Sequence, residues 1–231
     1  MPIFLLNDDD VIFPDPSFAE GTGLLAVGGD LSPDRLLEAY RHGIFPWYNP
    51  GEEVLWWSLD PRFVLFPDEL KVSKSMRPYF NQKKFEVTYD TRFRQVMVLC
   101  RDQYRKQQFG SWISNDMIEA YVKLHELGYA HSVEVWKEEQ LVGGLYGLSL
   151  GKMFFGESMF SLETNASKFG FITLVRKLES LGFIMIDCQQ ETPHLGSLGA
   201  RGIPRSEFLK KIEENNKEND LVGNWGELLG K

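Results

Sequence analysis

The segment from residue 130 to residue 187 limits the possible folds of this chain more than any other. Its first part predicts three β-strands, over residues 130–136, 141–150 and 153–155. Their short connections favour antiparallel pairing. A long helical pattern follows over residues 165–181, and residues 183–187 predict a further strand. This order of elements predicts an α+β fold, in which a helix packs on a sheet.

A second, smaller unit is predicted before this layer. Ser32 and the proline after it are typical of a helix start, and Gly43 of a helix end. The stretch 58–62 lies between two short strand patterns. We therefore expect a small N-terminal α/β domain over residues 1–62 and a larger domain over residues 63–231. The remaining patterns predict helices over residues 73–80, 91–105 and 114–127, a strand over 85–89, and a polar tail over 210–231 that is loosely packed at its end.

Composition excludes several classes of protein. The chain has 231 residues, of which 43% are hydrophobic, so it can bury a sizeable core. Aspartates dominate its first residues where a secretory signal would be basic and apolar, and no apolar run reaches the ~18 residues that a membrane helix needs. The two cysteines, Cys100 and Cys188, fit reduced thiols. We expect a cytoplasmic protein with no metal site and no membrane contact.

Charge is unevenly distributed along the chain. Residues 71–106 contain ten basic and three acidic residues, a net charge of +7, whereas the rest of the chain carries −15. An ordinary solvated surface would explain this run as well as a binding surface does. The functional alternative is a local face for anions, most naturally the backbone of a nucleic acid.

Two carboxylates follow apolar runs in predicted strands. Glu157 comes after residues 153–155, and Asp187 ends the strand pattern at 183–187. Burying a carboxylate is costly unless it is paired, so we expect one polar site at the edge of the sheet. Gln189 is two residues beyond Asp187 and should point to the same side of an extended strand, with Cys188 opposite. The structural alternatives are a turn cap for Asp187, an ion pair at a strand end for Glu157 and a core position for Cys188.

Aromatic residues are dense in the first half of the chain. They belong either to the core of the small domain or to a surface on which a base stacks. The helical spacing of Phe171, Leu174 and Leu178 favours a core face. The segment QLVGGL (140–145) resembles a coenzyme A pyrophosphate loop only partly, and it lies inside a predicted hairpin instead of before a helix. The aromatic set is Trp47, Tyr48, Trp56, Trp57 and Trp112.

Ten motifs, in order, resemble bacterial leucyl/phenylalanyl-tRNA–protein transferases. They are LLAVGGDLS (24–32), GIFPW (43–47), WWS (56–58), WI (112–113), HSVEVW (131–136), LVGG (141–144), GESMFS (156–161), NASK (165–168), DCQ (187–189) and SLGA (197–200). The resemblance implies a GNAT-like acyltransferase fold for the C-terminal domain. It implies a monomer that moves Leu or Phe, and less well Met, from leucyl-, phenylalanyl- or methionyl-tRNA to proteins that begin with Arg or Lys. The product is an N-terminal degradation signal. No cofactor is implied, because the ester of aminoacyl-tRNA is already activated.

The resemblance also implies roles for single residues. Asp187 acts through Gln189 at the reacting centre, and Glu157 holds the cationic acceptor or the terminal ribose. Where some relatives have Asn as a further catalytic residue, this chain has Thr192. Trp47 and Trp112, with Tyr40, bind the terminal adenosine. The pocket for the aminoacyl side chain is assigned to Leu145, Phe154, Met159, Phe171, Leu174, Leu178 and Ile186. Contacts with the tRNA acceptor arm are assigned to Lys71, Lys74, Arg77, Lys83 and Lys84.

Two other functions fit parts of the sequence. The first is an N-acyltransferase of the same fold that uses acyl-coenzyme A, although the pyrophosphate loop is incomplete. A non-catalytic RNA-binding module is the other, although it would not need the constellation of Glu157, Asp187 and Gln189.

Overall fold

The computed structural model describes residues 3–19, 21–103 and 111–230. The strands in these residues are β1 (Phe4–Leu6), β2 (Leu24–Gly28), β3 (Phe45–Pro46), β4 (Leu55–Trp57), β5 (Arg62–Leu65), β6 (Glu86–Tyr89), β7 (Ala130–Lys137), β8 (Gln140–Leu150), β9 (Met153–Ser161), β10 (Met185–Gln189) and β11 (Arg201–Ile203). The α-helices are α1 (Pro33–Arg41), α2 (Arg77–Asn81), α3 (Phe93–Asp102), α4 (Asn115–Glu126), α5 (Ala166–Ser180), α6 (Pro193–Ser197), α7 (Arg205–Asn215) and α8 (Trp225–Leu228).

The N-terminal strands form a four-stranded sheet in the order β1-β2-β4-β3. Helix α1 packs beside it and begins as predicted, since the Ser32 hydroxyl accepts a hydrogen bond from the Arg35 N–H and proline occupies the first turn. Leu36 and Tyr40 on its apolar face are fully buried. This burial turns the Tyr40 side chain toward the larger sheet, where it contacts the Phe155 ring.

The other strands form a seven-stranded sheet in the order β11-β5-β10-β9-β8-β7-β6. Strands β7, β8 and β9 are antiparallel neighbours, as their short connections predicted. Helix α5 then crosses the sheet and returns the chain to β10, which pairs in parallel with β9. The predicted α+β fold class is confirmed.

The two sheets share one hydrophobic core cluster, which includes Trp56 from the small sheet and Phe155 from the large one. The division into domains at residues 62 and 63 therefore stays a prediction. Helix α3 ends at Asp102, and the last residues of the predicted helix, with the basic residues Arg105 and Lys106, lie outside the described residues. Among the described residues, no helix is long and apolar enough to cross a membrane.

The prediction that the tail is loosely packed at its end is wrong as far as Leu229, which is 5% exposed. Helices α7 and α8 lie in this region, and Ile212 and Trp225 are buried. The Trp225 ring stacks on His131 at 3.8 Å, and its backbone N–H donates to buried Asp90. A few widely spaced apolar side chains anchor an otherwise polar segment, which is why periodicity did not reveal it.

Candidate active site

Glu157 lies in the middle of β9, not at a strand end as predicted. The pairing with β8 shifts here, since Tyr146 faces Ser158 and Gly147 faces Gly156. Glu157 is thus the extra residue of a β-bulge, an irregularity that re-aims a side chain out of the regular ladder. The bulge places a carboxylate in the interior of the larger sheet.

Three side chains lie within hydrogen-bonding distance of the Glu157 carboxylate. The Tyr40 hydroxyl donates to Oε1 at 2.6 Å, and the Gln189 Nε2 donates to Oε1 at 3.1 Å. The Tyr121 hydroxyl lies 3.4 Å from Oε2 and also shares a hydrogen bond with the Tyr40 hydroxyl. Burial raises the pKa of both tyrosines well above its ordinary value, so both remain protonated donors.

Burial also raises the pKa of Glu157, to about 7, although the hydrogen bond from Tyr40 opposes that shift. The negative charge of Asp187 raises this pKa further, and the positive charge of Arg62 lowers it. Glu157 therefore changes its charge near neutral pH, where a general base or a cation-binding carboxylate is most useful.

Asp187 is held by a residue that sequence reasoning missed. Arg62 on β5 forms a bidentate ion pair with it, with Nε 2.8 Å from Oδ1 and Nη2 2.6 Å from Oδ2. Both side chains are fully buried. The Arg62 guanidinium lies between the rings of Phe45 and Phe208, 4.6 Å from each ring centroid. This packing fixes the ion pair and makes Asp187 a rigid anchor.

Gln189 is turned by an unusual backbone conformation at the end of β10. Its φ angle is 54°, in the left-handed region that non-glycine residues seldom adopt. Its backbone N–H donates to Asp187 Oδ1 at 3.0 Å, which holds this conformation. The pairing with β5 also shifts between Asp187 and Gln189. As a result, the ion pair fixes the backbone that presents the Gln189 amide to Glu157.

The prediction that Asp187 and Gln189 share one side of the strand, with Cys188 opposite, is wrong. Gln189 and Cys188 both line a cavity, whereas Asp187 is fully buried behind it. The shifted register and the left-handed residue break the period-two alternation that the prediction assumed. Burial raises the pKa of the Cys188 thiol far above its ordinary value, which disfavours a thiolate nucleophile.

The cavity in front of this network has a volume of about 460 Å³. This size fits a small organic group held among side chains. Its wall is largely apolar, and Glu157 and Gln189 form a polar part of the wall. The structure brings ten of the predicted site residues to this wall, and their roles stay predictions. They are Trp47, Trp112, Leu145, Phe154, Glu157, Met159, Phe171, Ile186, Gln189 and Thr192.

Four predicted site residues do not line the cavity. Leu174 and Leu178 are fully buried in the core, because α5 carries them away from the cavity after Phe171. They are not part of the pocket wall. Tyr40 and Asp187 lie behind the wall and reach it through Glu157 and Gln189.

Some of the tryptophans lie in the core and others line the cavity, the two locations that the sequence left open. Trp56 belongs to the core, where its indole N–H donates to the Gly28 carbonyl at 2.8 Å. Trp47 is 37% exposed, and it lines the cavity together with Trp112. Trp57 holds Trp47 in place by donating to its carbonyl. A planar ligand can therefore reach Trp47 and Trp112.

Helix α6 closes one side of the cavity. The Thr192 hydroxyl caps this helix by accepting a hydrogen bond from the Leu195 N–H at 3.2 Å, and its own hydrogen remains free to donate. His194 also lines the cavity, and its Nε2 has no partner among the described residues. Burial lowers the pKa of His194, so its neutral form is favoured.

The five residues assigned to tRNA all lie at the surface. None of them forms a salt bridge with a described residue, whereas Arg94 and Arg101 in the same basic run are paired with acidic side chains. Lys71 lies at the end of α6, because its backbone N–H donates to the carbonyl of Leu198, just after this helix. The unpaired cations are Lys71, Lys74, Arg77, Lys83 and Lys84.

Sequence reasoning missed Arg62 and Tyr121. Each lies far from its partner along the chain, Arg62 on β5 and Tyr121 on α4, and no local pattern joins them. The one available signal for Arg62 was a charged residue at the start of the apolar strand pattern 63–66. Tyr121 occupies an apolar helix position and gave no signal.

This site can orient two substrates and accept a proton at neutral pH. An apolar cavity with aromatic rings, a carboxylate and a fixed amide supplies the groups that an acyltransferase acting on an amine requires. Family comparisons then place the chain within that class. Residues 64–213 match the model of leucyl/phenylalanyl-tRNA protein transferase, and residues 29–60 match the model of its N-terminal domain. The chain belongs to the leucyl/phenylalanyl-tRNA protein transferase family.

Relatives with this name match almost the whole chain. The Syntrophus aciditrophicus protein is 58% identical over 215 residues, which cover 93% of this chain and 90% of the relative. The Myxococcus xanthus protein is 52% identical over 228 residues, which cover 98% and 97%. A Pseudomonas aeruginosa protein is 58% identical over 210 residues, which cover 90% and 92%.

The solved structures that match this chain are much more distant. A GCN5-related N-acetyltransferase from Kribbella flavida has a TM-score of 0.35 at 9% identity, covering 77% of this chain and 63% of that one. The structure of L-PGS from Bacillus licheniformis has a TM-score of 0.40 at 11% identity, covering 71% and 51%.

Proposed function

We propose that this chain transfers Leu or Phe, and less well Met, from aminoacyl-tRNA to the α-amino group of proteins that begin with Arg or Lys. The new N-terminus is a degradation signal, and the enzyme works in the cytoplasm as a monomer. Family membership supports the reaction type. The single observation that carries the acceptor class is the Glu157 carboxylate in the wall of a mainly apolar cavity.

The cavity has a suitable place for each part of the donor. Leu145, Met159 and Phe171 offer apolar surface to an aromatic side chain or to an aliphatic one that is not branched at Cβ. Trp47 and Trp112 offer ring faces to the terminal adenine, a contact worth about 1–3 kcal/mol per stacked base. Steric selection among apolar side chains contributes about 1–3 kcal/mol per methylene, so contacts with the tRNA itself add to selectivity.

The acceptor is a cation with an α-amine. Ionised Glu157 attracts the Arg or Lys side chain, or the α-ammonium, into a cavity of low dielectric. The free α-amine, with an ordinary pKa of about 7.7–8.0, is partly neutral at pH 7. Its lone pair attacks the ester carbonyl carbon, and a tetrahedral intermediate forms. The C–N bond then remains, the C–O bond to the ribose breaks, and the ribose oxygen takes the proton that the nitrogen loses.

Asp187 acts as a positioning residue in this scheme. Both of its oxygens are occupied by Arg62, and one also accepts from the Gln189 backbone N–H. The Gln189 side chain, fixed by this anchor, donates to Glu157 and leaves its carbonyl oxygen free to accept an amine N–H. Pre-positioned groups of this kind lower the barrier because they need no rearrangement during reaction.

Transfer of radiolabelled leucine tests this proposal. The protein is incubated with leucyl-tRNA and a peptide beginning with Arg, beside the same peptide beginning with Ala, and a parallel reaction contains acetyl-coenzyme A in place of the tRNA. We expect label on the Arg peptide alone and no acetylation. Equal labelling of both peptides would contradict the acceptor class, and acetylation without leucine transfer would contradict the donor.

A further inference from the structure

A second cavity, of about 540 Å³, lies on the opposite side of α5 from the active-site cavity. Ser167 and Phe171 face the active-site cavity, whereas Phe169, Thr173 and Arg176 face the second one. Residues spaced three or four apart share one face of a helix, so α5 separates the two cavities. We call the second cavity the α5 groove.

The far wall of the α5 groove is the edge of the large sheet. Strand β6 lies at that edge and contributes Val87 and Tyr89, and Phe85 directly before the strand continues this wall. Because side chains alternate along a strand, the acidic residue Glu86 points to the other face. The strand thus gives the groove an apolar wall that lacks the β6 carboxylate.

Aromatic rings hold cations at the rim of the groove. The Phe80 ring stacks on Phe169 with centroids 4.4 Å apart, and the Arg176 guanidinium lies 4.8 Å from the Phe80 centroid. On the neighbouring ring, Lys84 Nζ lies 5.0 Å from the Tyr79 centroid. Cation–π contacts restrict these flexible side chains before any ligand arrives.

The charge at the rim is not neutralised. Arg176 and Lys177, one turn from the end of α5, form no salt bridge with a described residue. Lys83 and Lys84, from the basic run, directly precede Phe85 in the groove wall. Two cations therefore line the groove and two more precede its wall in the sequence, although the protein as a whole has a net charge of −8.

We propose that the α5 groove binds the ribose–phosphate backbone of the tRNA. Arg176 and Lys177 contact phosphates there, and the apolar wall packs against a ribose or an unpaired base. The proposal rests on the proposed function, because the aminoacylated end of the same tRNA occupies the active-site cavity across α5. It extends the RNA-binding surface beyond residues 71–84 to a helix that sequence analysis assigned only to core and pocket.

Charge reversal on α5 tests this proposal. The variant Arg176→Glu/Lys177→Glu is compared with Lys210→Glu/Lys217→Glu, which makes the same charge change at exposed residues outside both cavities. The Kd of uncharged leucine tRNA is measured by filter binding over a range of salt concentrations. For two lost phosphate contacts, the slope of log K against log salt should become shallower by about 2, and Kd at low salt should rise by about tenfold or more.

We expect the control pair to change Kd by less than about threefold, since it alters only the overall charge. Thermal unfolding shows whether both variants are folded. If both are folded and change the Kd of the tRNA equally, the proposal is overturned. Leucine transfer by the parent protein is measured in the same preparations. If the parent binds tRNA through the groove but transfers no leucine, the proposed function alone is contradicted. If the parent transfers leucine and the α5 variant binds tRNA as tightly as the parent, the groove proposal alone is contradicted.

Discussion

Glu157 is the residue whose chemistry depends most on its surroundings. Its apolar burial raises its pKa to about 7, and the hydroxyl of Tyr40 lowers that pKa by stabilising the carboxylate. The folded protein therefore controls whether the site is charged at neutral pH. A second buried carboxylate, Asp187, is fixed by Arg62 instead. The two carboxylates thus have different environments and different proposed roles.

The pH dependence of transfer should follow the Glu157 carboxylate. Because the ionised form binds the acceptor, kcat/KM for an Arg peptide should rise with pH through a pKa near 7. Tyr40→Phe removes a hydrogen bond that stabilises the carboxylate, so this rising limb of the pH profile should move to higher pH. Tyr129→Phe, outside the network, should leave it in place. Glu157→Gln should remove the limb and leave only the titration of the acceptor amine, and a limb near 7 that persists in this variant would contradict the assignment.

Variants of the Arg62–Asp187 ion pair should show that its effect on stability is distinct from its effect on activity. Arg62→Met leaves a buried carboxylate without its cationic partner and should cost about 3–5 kcal/mol in the free energy of unfolding. The double variant Arg62→Met/Asp187→Leu removes both charges and should recover most of that loss, yet transfer should stay low because Gln189 has lost its anchor. Urea unfolding and leucine transfer measure the two effects. A double variant with parental transfer would show that the anchor has no part in positioning.

At the scale of elements, the bulge in β9 positions the site. Gly147 on β8 lies opposite the bulge, where a Cβ would come within 2.1 Å of the Phe155 carbonyl oxygen. The close approach of the two backbones therefore requires glycine. The left-handed Gln189 at the end of β10 is the matching irregularity on the neighbouring strand. Both break the regular alternation of strands, and together they bring Glu157 and Gln189 within hydrogen-bonding distance.

Gly147→Ala should therefore disturb both stability and transfer. The new methyl group meets backbone and cannot be accommodated by a side-chain rotation, so we expect a loss of about 1–3 kcal/mol in the free energy of unfolding and a larger proportional loss of transfer. Gly21→Ala, where no atom lies within 4 Å of the new Cβ, is the matched control and should be near neutral. Chemical denaturation and transfer rates provide the measurements. Parental behaviour of the Gly147 variant would argue against a rigid bulge.

Regular elements were predictable from the sequence, and irregular ones were not. Alternation over residues 130–155 and the capping signals around Ser32 correspond to physical rules that act between near neighbours. A polar residue in an apolar run marked Glu157 and Asp187 correctly as unusual. The register shifts beside them, and the partner Arg62, depend on contacts between distant segments, which local patterns do not contain. Helical spacing placed Leu174 and Leu178 correctly in the core, whereas the family resemblance had assigned them to the pocket.

At the scale of the whole molecule, the surface cations lie apart from the apolar active-site cavity. The active-site cavity is largely apolar, whereas unpaired cations lie at the surface of residues 71–84. In the proposed function, such an arrangement attracts an RNA backbone to the outside and leaves the cavity for the aminoacylated end. The acidic remainder of the chain opposes indiscriminate binding of polyanions. The affinity for tRNA should thus depend on phosphate contacts more than on base identity.

Salt should weaken tRNA binding steeply. If the five surface cations each neutralise one phosphate, raising salt from about 0.05 M to about 0.2 M should weaken binding about 10²- to 10³-fold. Replacing Lys71, Lys74 and Arg77 by Gln should make the salt dependence shallower, because fewer counterions are released. Filter binding over a salt series provides the measurement. A flat salt response of the parent protein would contradict the assignment of residues 71–84 to RNA.

The central claim is that leucine transfer takes place at the Glu157 and Gln189 cluster. Single-turnover transfer to an Arg peptide, with tRNA and peptide both saturating, tests it most directly in the parent protein and in Gln189→Ala. The account predicts that the rate falls by about a hundredfold or more, as for the loss of one pre-positioned polar group, while the Kd of tRNA stays within about threefold of the parent value. An unchanged single-turnover rate would place the reaction elsewhere and contradict the account.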